Sequence, residues 1–237
     1  MQNTMKEPKY PNKRKPLFTG LKAVLKCIRP KLTLVDRNEG QAEPGIFISN
    51  HCGTAGPFMV ECYLPYSHHP WGAYQMNGDI KSRFNYLYRV LYMQKLHMKK
   101  VPSFLLASIV CVVSKAYYKG MGLISSYPDI RLVRTIKQSI ACLEKNTSIV
   151  IYPENSNEGY HDQLNEIFGG FCLLSKAYYT KHHVDLPIYP IYYNKFTSRM
   201  VVDKPLYLQP LMQKGMTTGE ICEFYRDHIN GLKHATE

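Results

Sequence analysis

The chain alternates between short apolar runs and longer stretches in which apolar residues recur at helical spacing. Short runs rich in β-branched residues predict buried strands, and they lie at 32–35, 45–49, 121–126, 148–152 and 187–193. Stretches with one apolar helical face predict helices, and they lie at 101–119, 130–143 and 165–180. We expect Ile130 and Val133 to belong to the buried stripe of the second helix and Phe168 to that of the third. Alternating strands and helices are typical of an α/β fold, so we expect a mainly parallel sheet flanked by helices.

An amphipathic helix is also predicted near the beginning of the chain, before Pro30. Its apolar face consists of Leu17, Leu21, Val24, Leu25 and Ile28, and lysines occupy the other sides. A basic amphipathic helix is the usual form of an interfacial membrane anchor, but an ordinary surface helix packed on the core has the same pattern. The basic, proline-containing arm at 1–16 favours the membrane, because cations near anionic lipid strengthen binding.

The end of the chain predicts an edge strand at 201–208 and then a final amphipathic helix. Thr217 and Glu220 have the spacing of a capping box, which marks a helix start. The helix after it carries Ile221, Phe224 and other apolar residues on one face.

Length and composition fit one globular domain with a short appendage. The chain has 237 residues, 45% of them hydrophobic, which is enough for a sizeable core. We therefore divide it into a basic arm with an interfacial helix, 1–30, and an α/β domain, 31–237. Seven scattered cysteines without a C-x-x-C pair predict reduced thiols.

A formal charge of +12 indicates an anionic partner: a membrane surface, a nucleic acid or an acidic substrate. Aromatic and basic residues mix over 65–100, which suits a membrane interface, nucleic-acid binding, or a solvated helical face with aromatic packing beneath it. No nucleic-acid-binding motif is recognisable, so we expect no nucleic acid. We also expect no secretory signal and no membrane-spanning run of about 20 apolar residues, and we interpret 104–113 as a core helix.

Two polar motifs follow predicted strands. Asn50-His51 comes directly after the run at 45–49, and Pro153-Glu154 follows the run at 148–152. If these strands are parallel neighbours, both motifs lie in the crevice at the carboxyl edge of the sheet, where α/β proteins bind ligands. His51 there is a candidate base, since the histidine pKa is about 6.5. Taken singly, His51 could instead cap a turn and Glu154 could be an exposed turn acid.

These motifs resemble those of the glycerolipid acyltransferase family (lysophosphatidate acyltransferase-like). That family carries N-H-x4-D, F-P-E-G-T-R-S and V-P-I-V-P-V motifs in this order. Here Asn50-His51, Tyr152-Pro153-Glu154 and Leu186-Pro187-Ile188-Tyr189-Pro190-Ile191 are similar to them. The resemblance covers 30–210, nearly the whole chain.

The resemblance implies acyl transfer from an acyl-CoA or acyl carrier protein thioester to a hydroxyl of a lysolipid or glycerolipid-like acceptor. His51 would be the general base, Glu154 a second catalytic group, and Asn50, Asn155 and Ser156 would line the crevice. We expect no resident cofactor and no metal, since no histidine or cysteine has zinc-ligand spacing. The protein would lie peripherally on the cytoplasmic face of a membrane, with the lipid surface, donor and acceptor as its partners.

The sequence departs from the family at two kinds of position. Gly56 stands where the motif Asp would orient the histidine, which leaves Glu154 or a backbone carbonyl for that role. Asn157 stands where a phosphate-binding Arg is expected. Either the acceptor lacks a phosphomonoester, or Arg131, Arg134 or a lysine binds it.

These departures keep two other interpretations open. One is a catalytically impaired relative that binds acyl chains or membrane lipid. The other makes Cys52, beside His51, a thiol nucleophile, although adjacent side chains in a turn rarely point at each other.

Overall fold

The computed structural model describes residues 16–28 and 31–236, and in the first range it describes the side chains of Phe18, Thr19, Lys22, Ala23, Val24 and Lys26. The predicted basic arm lies outside the described residues apart from its last position. The division into 1–30 and 31–237 therefore stays a prediction.

In the described residues one sheet of seven strands runs through the molecule in the order β1-β7-β6-β2-β5-β3-β4. All neighbouring pairs are parallel except β6 and β7. This confirms the predicted mainly parallel sheet.

The seven strands have the following bounds: β1 Thr33–Asp36, β2 Ile46–Ser49, β3 His68–Ala73, β4 Ile124–Ser126, β5 Ser148–Ile151, β6 Ile188–Asn194 and β7 Arg199–Val202.

Helices cover both faces of the sheet, as an α/β fold requires. The α-helices are α1 Pro16–Ile28, α2 Ala55–Tyr63, α3 Ile80–Asn85, α4 Lys100–Gly120, α5 Leu132–Leu143, α6 Gly170–His182, α7 Leu208–Gln213 and α8 Thr218–Gly231. A π-helix, Tyr86–Lys95, joins α3 to the α4 segment, and 3₁₀ turns lie at Tyr74–Asn77 and Leu232–Thr236. The capping box of Thr217 and Glu220 is present at the start of α8.

The central strands are buried on both faces, which gives the sheet two cores. Alternate side chains of β2 point to opposite sides: Ile46 and Ile48 join the larger core with α5, α6 and α8, and Phe47 joins the core under α2. In the larger core Phe171 of α6 meets Tyr225 of α8 edge to face, with ring centroids 5.1 Å apart. Strands buried in this way read as continuous apolar runs, which is why the sequence revealed them.

Strand β3 lies within 65–100, where the sequence analysis predicted no strand. His68 and His69 are its first residues and are buried, although a polar pair does not predict a strand. Trp71 of β3 donates its indole N–H to Ser139 Oγ of α5 at 2.8 Å. Pairing with β5 and β4, rather than apolar periodicity, therefore decides that this segment is extended.

Three further expectations were wrong in detail. The strand predicted at 201–208 is the shorter β7, which lies between β1 and β6 and is not an edge strand. In α5, Ile130 and Val133 were expected to be buried but are 87% and 53% exposed, because the helix begins only at Leu132 and turns Thr135 and Ser139 inward. Phe168 is exposed because it precedes α6, which begins at Gly170.

The expectation of a core helix at 104–113 was also wrong. Helix α4 lies on the outside of the molecule and buries only small residues, namely Ser103, Ala107, Cys111 and Ser114. Among the described residues, this 21-residue helix is long and apolar enough to cross a membrane by length and composition alone, contrary to the sequence-based expectation.

The N-terminal helix α1 packs on the domain. Phe18 is buried beside Tyr117, Met121 and Leu123. Lys22 forms an ion pair with the buried Glu61 at 3.1 Å, and the Lys26 ammonium lies 4.5 Å from the Tyr63 ring centroid. The two lysines therefore face the domain, while Val24 on the predicted apolar face is 58% exposed.

Candidate active site

His51 and Glu154 meet at the carboxyl edge of the sheet. Strands β2 and β5 are parallel neighbours, with Ile48 opposite Ile151, so the chain leaves both strands on the same side. The backbone N–H of His51 donates to Glu154 Oε2 at 3.3 Å. The Asn50-His51 and Pro153-Glu154 motifs therefore lie together, as the sequence predicts.

The turn after His51 holds its imidazole ring. Cys52 and Gly53 both adopt left-handed backbone conformations, with φ of 45° and 74°, and this turn brings the Gly53 carbonyl oxygen into contact with His51 Nδ1. A carbonyl oxygen only accepts hydrogen bonds, so in the neutral ring Nδ1 carries the proton. The lone pair then lies on Nε2, which leaves that nitrogen as the base.

Gly56 is packed against the backbone of the same turn. A Cβ atom at this position would lie 2.2 Å from the His51 carbonyl oxygen and 3.2 Å from that of Asn50. No side chain fits here without moving the backbone, so an Asp is excluded sterically. The Gly53 carbonyl occupies the orienting position, which is one of the two alternatives that the sequence left open.

Aromatic rings enclose the imidazole. The Tyr160 ring stacks on His51 with centroids 4.3 Å apart, and the Tyr152 ring lies at 5.2 Å. Desolvation of the ring lowers the pKa of His51 to about 4; the hydrogen bond to Gly53 opposes this shift, and the nearby Lys95 ammonium adds to it. His51 is therefore neutral at physiological pH.

Glu154 is buried and shapes the loop rather than holding the imidazole. Its carboxylate accepts the backbone N–H groups of His51 and His161, both at 3.3 Å. Burial raises the pKa of Glu154, although these hydrogen bonds and Lys95 act in the opposite direction. The structure thus places Glu154 against the backbone of the histidine.

Lys95 is a member of this cluster that sequence reasoning missed. It is the last residue of the π-helix, and its Nζ donates to Ser156 Oγ at 2.6 Å and lies 5.5 Å from the Tyr160 ring centroid. Burial lowers the pKa of Lys95, and the nearby Glu154 opposes this. The sequence shows Lys95 only as one of many cations in 65–100, and the feature that singles it out is structural: it ends a π-helix, which is frequent at functional sites.

The other predicted crevice residues have local partners. The Asn50 amide donates to the Tyr193 carbonyl at 2.9 Å and accepts the Tyr193 N–H at 2.8 Å, which clamps the ends of β2 and β6 together. Asn155 donates to Glu166 at 2.6 Å. Asn157 is exposed, whereas Ser156 is buried against Lys95. Their substrate-binding roles stay predictions.

Arg131 and Arg134 lie at a different part of the same edge. The Arg131 guanidinium pairs with Asp129 and stands 4.8 and 4.6 Å from the ring centroids of Tyr74 and Tyr127, which follow β3 and β4. Strand β4 is three positions from β2, roughly 14 Å at the usual strand spacing. Arg134 is exposed on α5. The structure does not bring these arginines into the cluster around His51.

The environment of Cys52 does not support its interpretation as a thiol nucleophile. Cys52 is buried, and burial raises its pKa. A protonated thiol is a poor nucleophile. We therefore expect Cys52→Ser to keep any activity of the site.

Comparisons with known proteins find similarity among solved structures. No protein-family model matches the chain, and no curated protein matches it. Among solved structures, the chain is similar to the crystal structure of the 1-acyl-sn-glycerophosphate (LPA) acyltransferase PlsC from Thermotoga maritima, with a TM-score of 0.49 and 10% sequence identity over 92% of this chain and 88% of that chain. A similarity of this degree does not decide function, which has to be argued from the crevice and the motifs.

Proposed function

We propose that the protein is an O-acyltransferase that moves an acyl group from a thioester to a hydroxyl of a lysolipid or glycerolipid-like acceptor. The observation that carries this is the neutral His51, whose Nδ1 is held by the Gly53 carbonyl at the carboxyl edge of the sheet. The motif resemblance supports the reaction type. The donor would be acyl-CoA or acyl carrier protein, and no resident cofactor takes part.

In the proposed mechanism His51 Nε2 removes the proton from the acceptor hydroxyl as its oxygen attacks the thioester carbonyl. The tetrahedral intermediate collapses, the carbon–sulfur bond breaks, and the proton on His51 passes to the leaving thiolate. The products are an ester and a free thiol. The Gly53 carbonyl keeps the imidazole oriented and stabilises the imidazolium, as the acid does in a catalytic triad.

Lys95 would supply the positive charge that is lost because position 157 is not an arginine. Its ammonium is close enough to Glu154 and His51 to affect the pKa of both groups. A half-buried cation beside the base can stabilise the oxyanion or bind a phosphate on the acceptor. Arg131 and Arg134 would contact a substrate only if it extends along the edge of the sheet towards β4.

The test is acyl transfer by the purified full chain. Labelled acyl-CoA and acyl carrier protein thioesters are supplied with a panel of lysolipids and other hydroxyl acceptors. Because a general base contributes about 10²–10⁴-fold, we expect His51→Ala to lose that much activity. The control His183→Asn changes an exposed histidine at the end of α6 and should keep full activity. Equal rates for wild type and His51→Ala would contradict the proposal.

The second candidate is a relative that binds acyl chains or membrane lipid without catalysis, which the glycine at position 56 favours. Wild-type protein that is folded and binds lipid but forms no ester with any donor would select this candidate. Ester formation that depends on His51 would exclude it.

A further inference from the structure

Helix α4 has its apolar side turned outward. The residues of the helix that the domain buries completely are small, namely Ser103, Ala107, Cys111 and Ser114. The outward side carries large apolar residues that are 52–71% exposed, namely Val101, Phe104, Leu105, Ile109, Val112 and Val113. Phe104 lies at the margin of this set and also meets the Phe84 and Tyr88 rings edge to face. Large exposed apolar patches mark sites of interaction with proteins or membranes. We call this set of six the α4 face.

The charges around the α4 face favour anionic lipid as its partner. The segment 100–120 contains no Asp or Glu. Lys99 and Lys100 lie at its beginning and Lys115 and Lys119 near its end, and all four are exposed. Lysines in such places reach to a lipid surface while the apolar stripe is buried. In a symmetric dimer through the same face, the lysines of two copies would repel one another.

We propose that α4 lies in the plane of an anionic bilayer and inserts the α4 face among the acyl chains. The helix packs on α3 and the π-helix. Crossing the bilayer would strip it from these partners, whereas lying in the interface keeps them. An in-plane helix buries its apolar side about 5–10 Å into the boundary of headgroups and acyl chains.

The proposed membrane helix is directly connected to the crevice. Lys95 ends the π-helix five residues before α4 begins at Lys100. At the other end of α4, Phe18 of α1 contacts Tyr117 with ring centroids 5.7 Å apart. The inference rests on the proposed function in one respect: it places the crevice where a lipid acceptor would leave the bilayer.

The first experiment measures binding of the full chain to vesicles by sedimentation. The probe is vesicles of phosphatidylglycerol and phosphatidylcholine in equal parts. The double variant Leu105→Gln, Ile109→Gln removes apolar area without changing charge, and Val184→Gln, Phe196→Gln is the matched control on exposed residues elsewhere. We expect the α4 variant to bind about tenfold or more weakly and the control to bind like wild type.

The second experiment reports the position of the helix. Ile109→Trp adds an indole to the α4 face, whereas the natural Trp71 is buried and serves as background. On anionic vesicles we expect a blue shift of the added emission and strong quenching by lipids brominated near the headgroup end of the chains. Val184→Trp should show neither effect.

The outcomes are decisive for the α4 face. Unchanged binding of the Gln variant, or an indole at 109 that stays in water, would overturn the proposal, and so would a wild-type dimer that the Gln variant converts to monomer. Acyl transfer to a soluble short-chain acceptor separates this inference from the proposed function. The α4 variant should keep that activity and His51→Ala should lose it, so failure of one leaves the other intact.

Discussion

His51 combines a strained turn, a half-buried ring and a nearby cation at one position. The turn places the Gly53 carbonyl against Nδ1, and desolvation of the ring, with Lys95 in addition, disfavours its protonated form. A general base works only when unprotonated. The low pKa therefore extends the range of pH over which this histidine can act.

The pH dependence of kcat/KM should show this directly. We expect activity to fall on the acid side with an apparent pKa of about 4, because that is where His51 gains its proton. Lys95→Gln removes a positive charge beside the ring, which makes protonation easier and should move this acidic limb to higher pH. A wild-type limb near 6.5, or a limb that moves down in Lys95→Gln, would contradict this account.

The close packing of Gly56 can be tested through the free energy of unfolding of variants at this position. Gly56→Ala and Gly56→Asp both add a Cβ that clashes with the His51 carbonyl oxygen at 2.2 Å, so we expect each to lower the free energy of unfolding by roughly 2–3 kcal/mol. Gly231→Ala is the control, because its Cβ meets nothing within 4 Å at the end of α8. Chemical denaturation measures all three. A stable Gly56→Asp with faster acyl transfer would show that the turn can accept the family's Asp.

At the scale of elements, the strands and helices that the sequence predicted are those with a clear local pattern of apolar residues. Strands β2, β5 and β6 were predicted because a strand buried on both faces consists of apolar residues throughout. Strand β3 was missed because it begins with His68 and His69. Helix α4 was located correctly but assigned to the core, because periodicity shows that a helix has an apolar face and does not show what covers it.

The capping box of α8 offers a local test. Thr217 accepts the Glu220 N–H, and the Glu220 side chain accepts the Thr217 N–H in return at 2.7 Å. We expect Thr217→Ala to lower the free energy of unfolding by about 1 kcal/mol. Thr180→Ala removes an exposed hydroxyl bonded within α6 and should change it much less. Equal losses in the two variants would show that the cap contributes nothing specific.

At the scale of the whole molecule, the net charge and the α4 face act together. A charge of +12 attracts an anionic bilayer over the Debye length, which is about 10 Å at 0.1 M salt and 3 Å at 1 M. Apolar insertion is not screened in this way. Raising the ionic strength should therefore weaken the charge attraction to the membrane and leave the apolar contribution of the α4 face in place.

Vesicle binding as a function of salt checks this. Between roughly 0.05 and 0.5 M salt we expect binding to anionic vesicles to weaken at least tenfold, because screening removes the long-range attraction. The ratio between wild type and Leu105→Gln, Ile109→Gln should stay nearly constant. A variant that binds as tightly as wild type at high salt, where the charge attraction is screened, would show that the α4 face adds nothing to binding.

The sequence alone determined the α/β class and the neighbourhood of His51 and Glu154, because buried parallel strands and the polar residues at their ends leave local patterns. Tertiary structure decided the rest. Lys95 reaches the crevice only through the packing of the π-helix, and the Gly53 carbonyl holds the imidazole only through the backbone of its turn. The outward direction of the α4 face likewise depends on which side of the helix the domain covers, and that follows from contacts between residues distant in sequence.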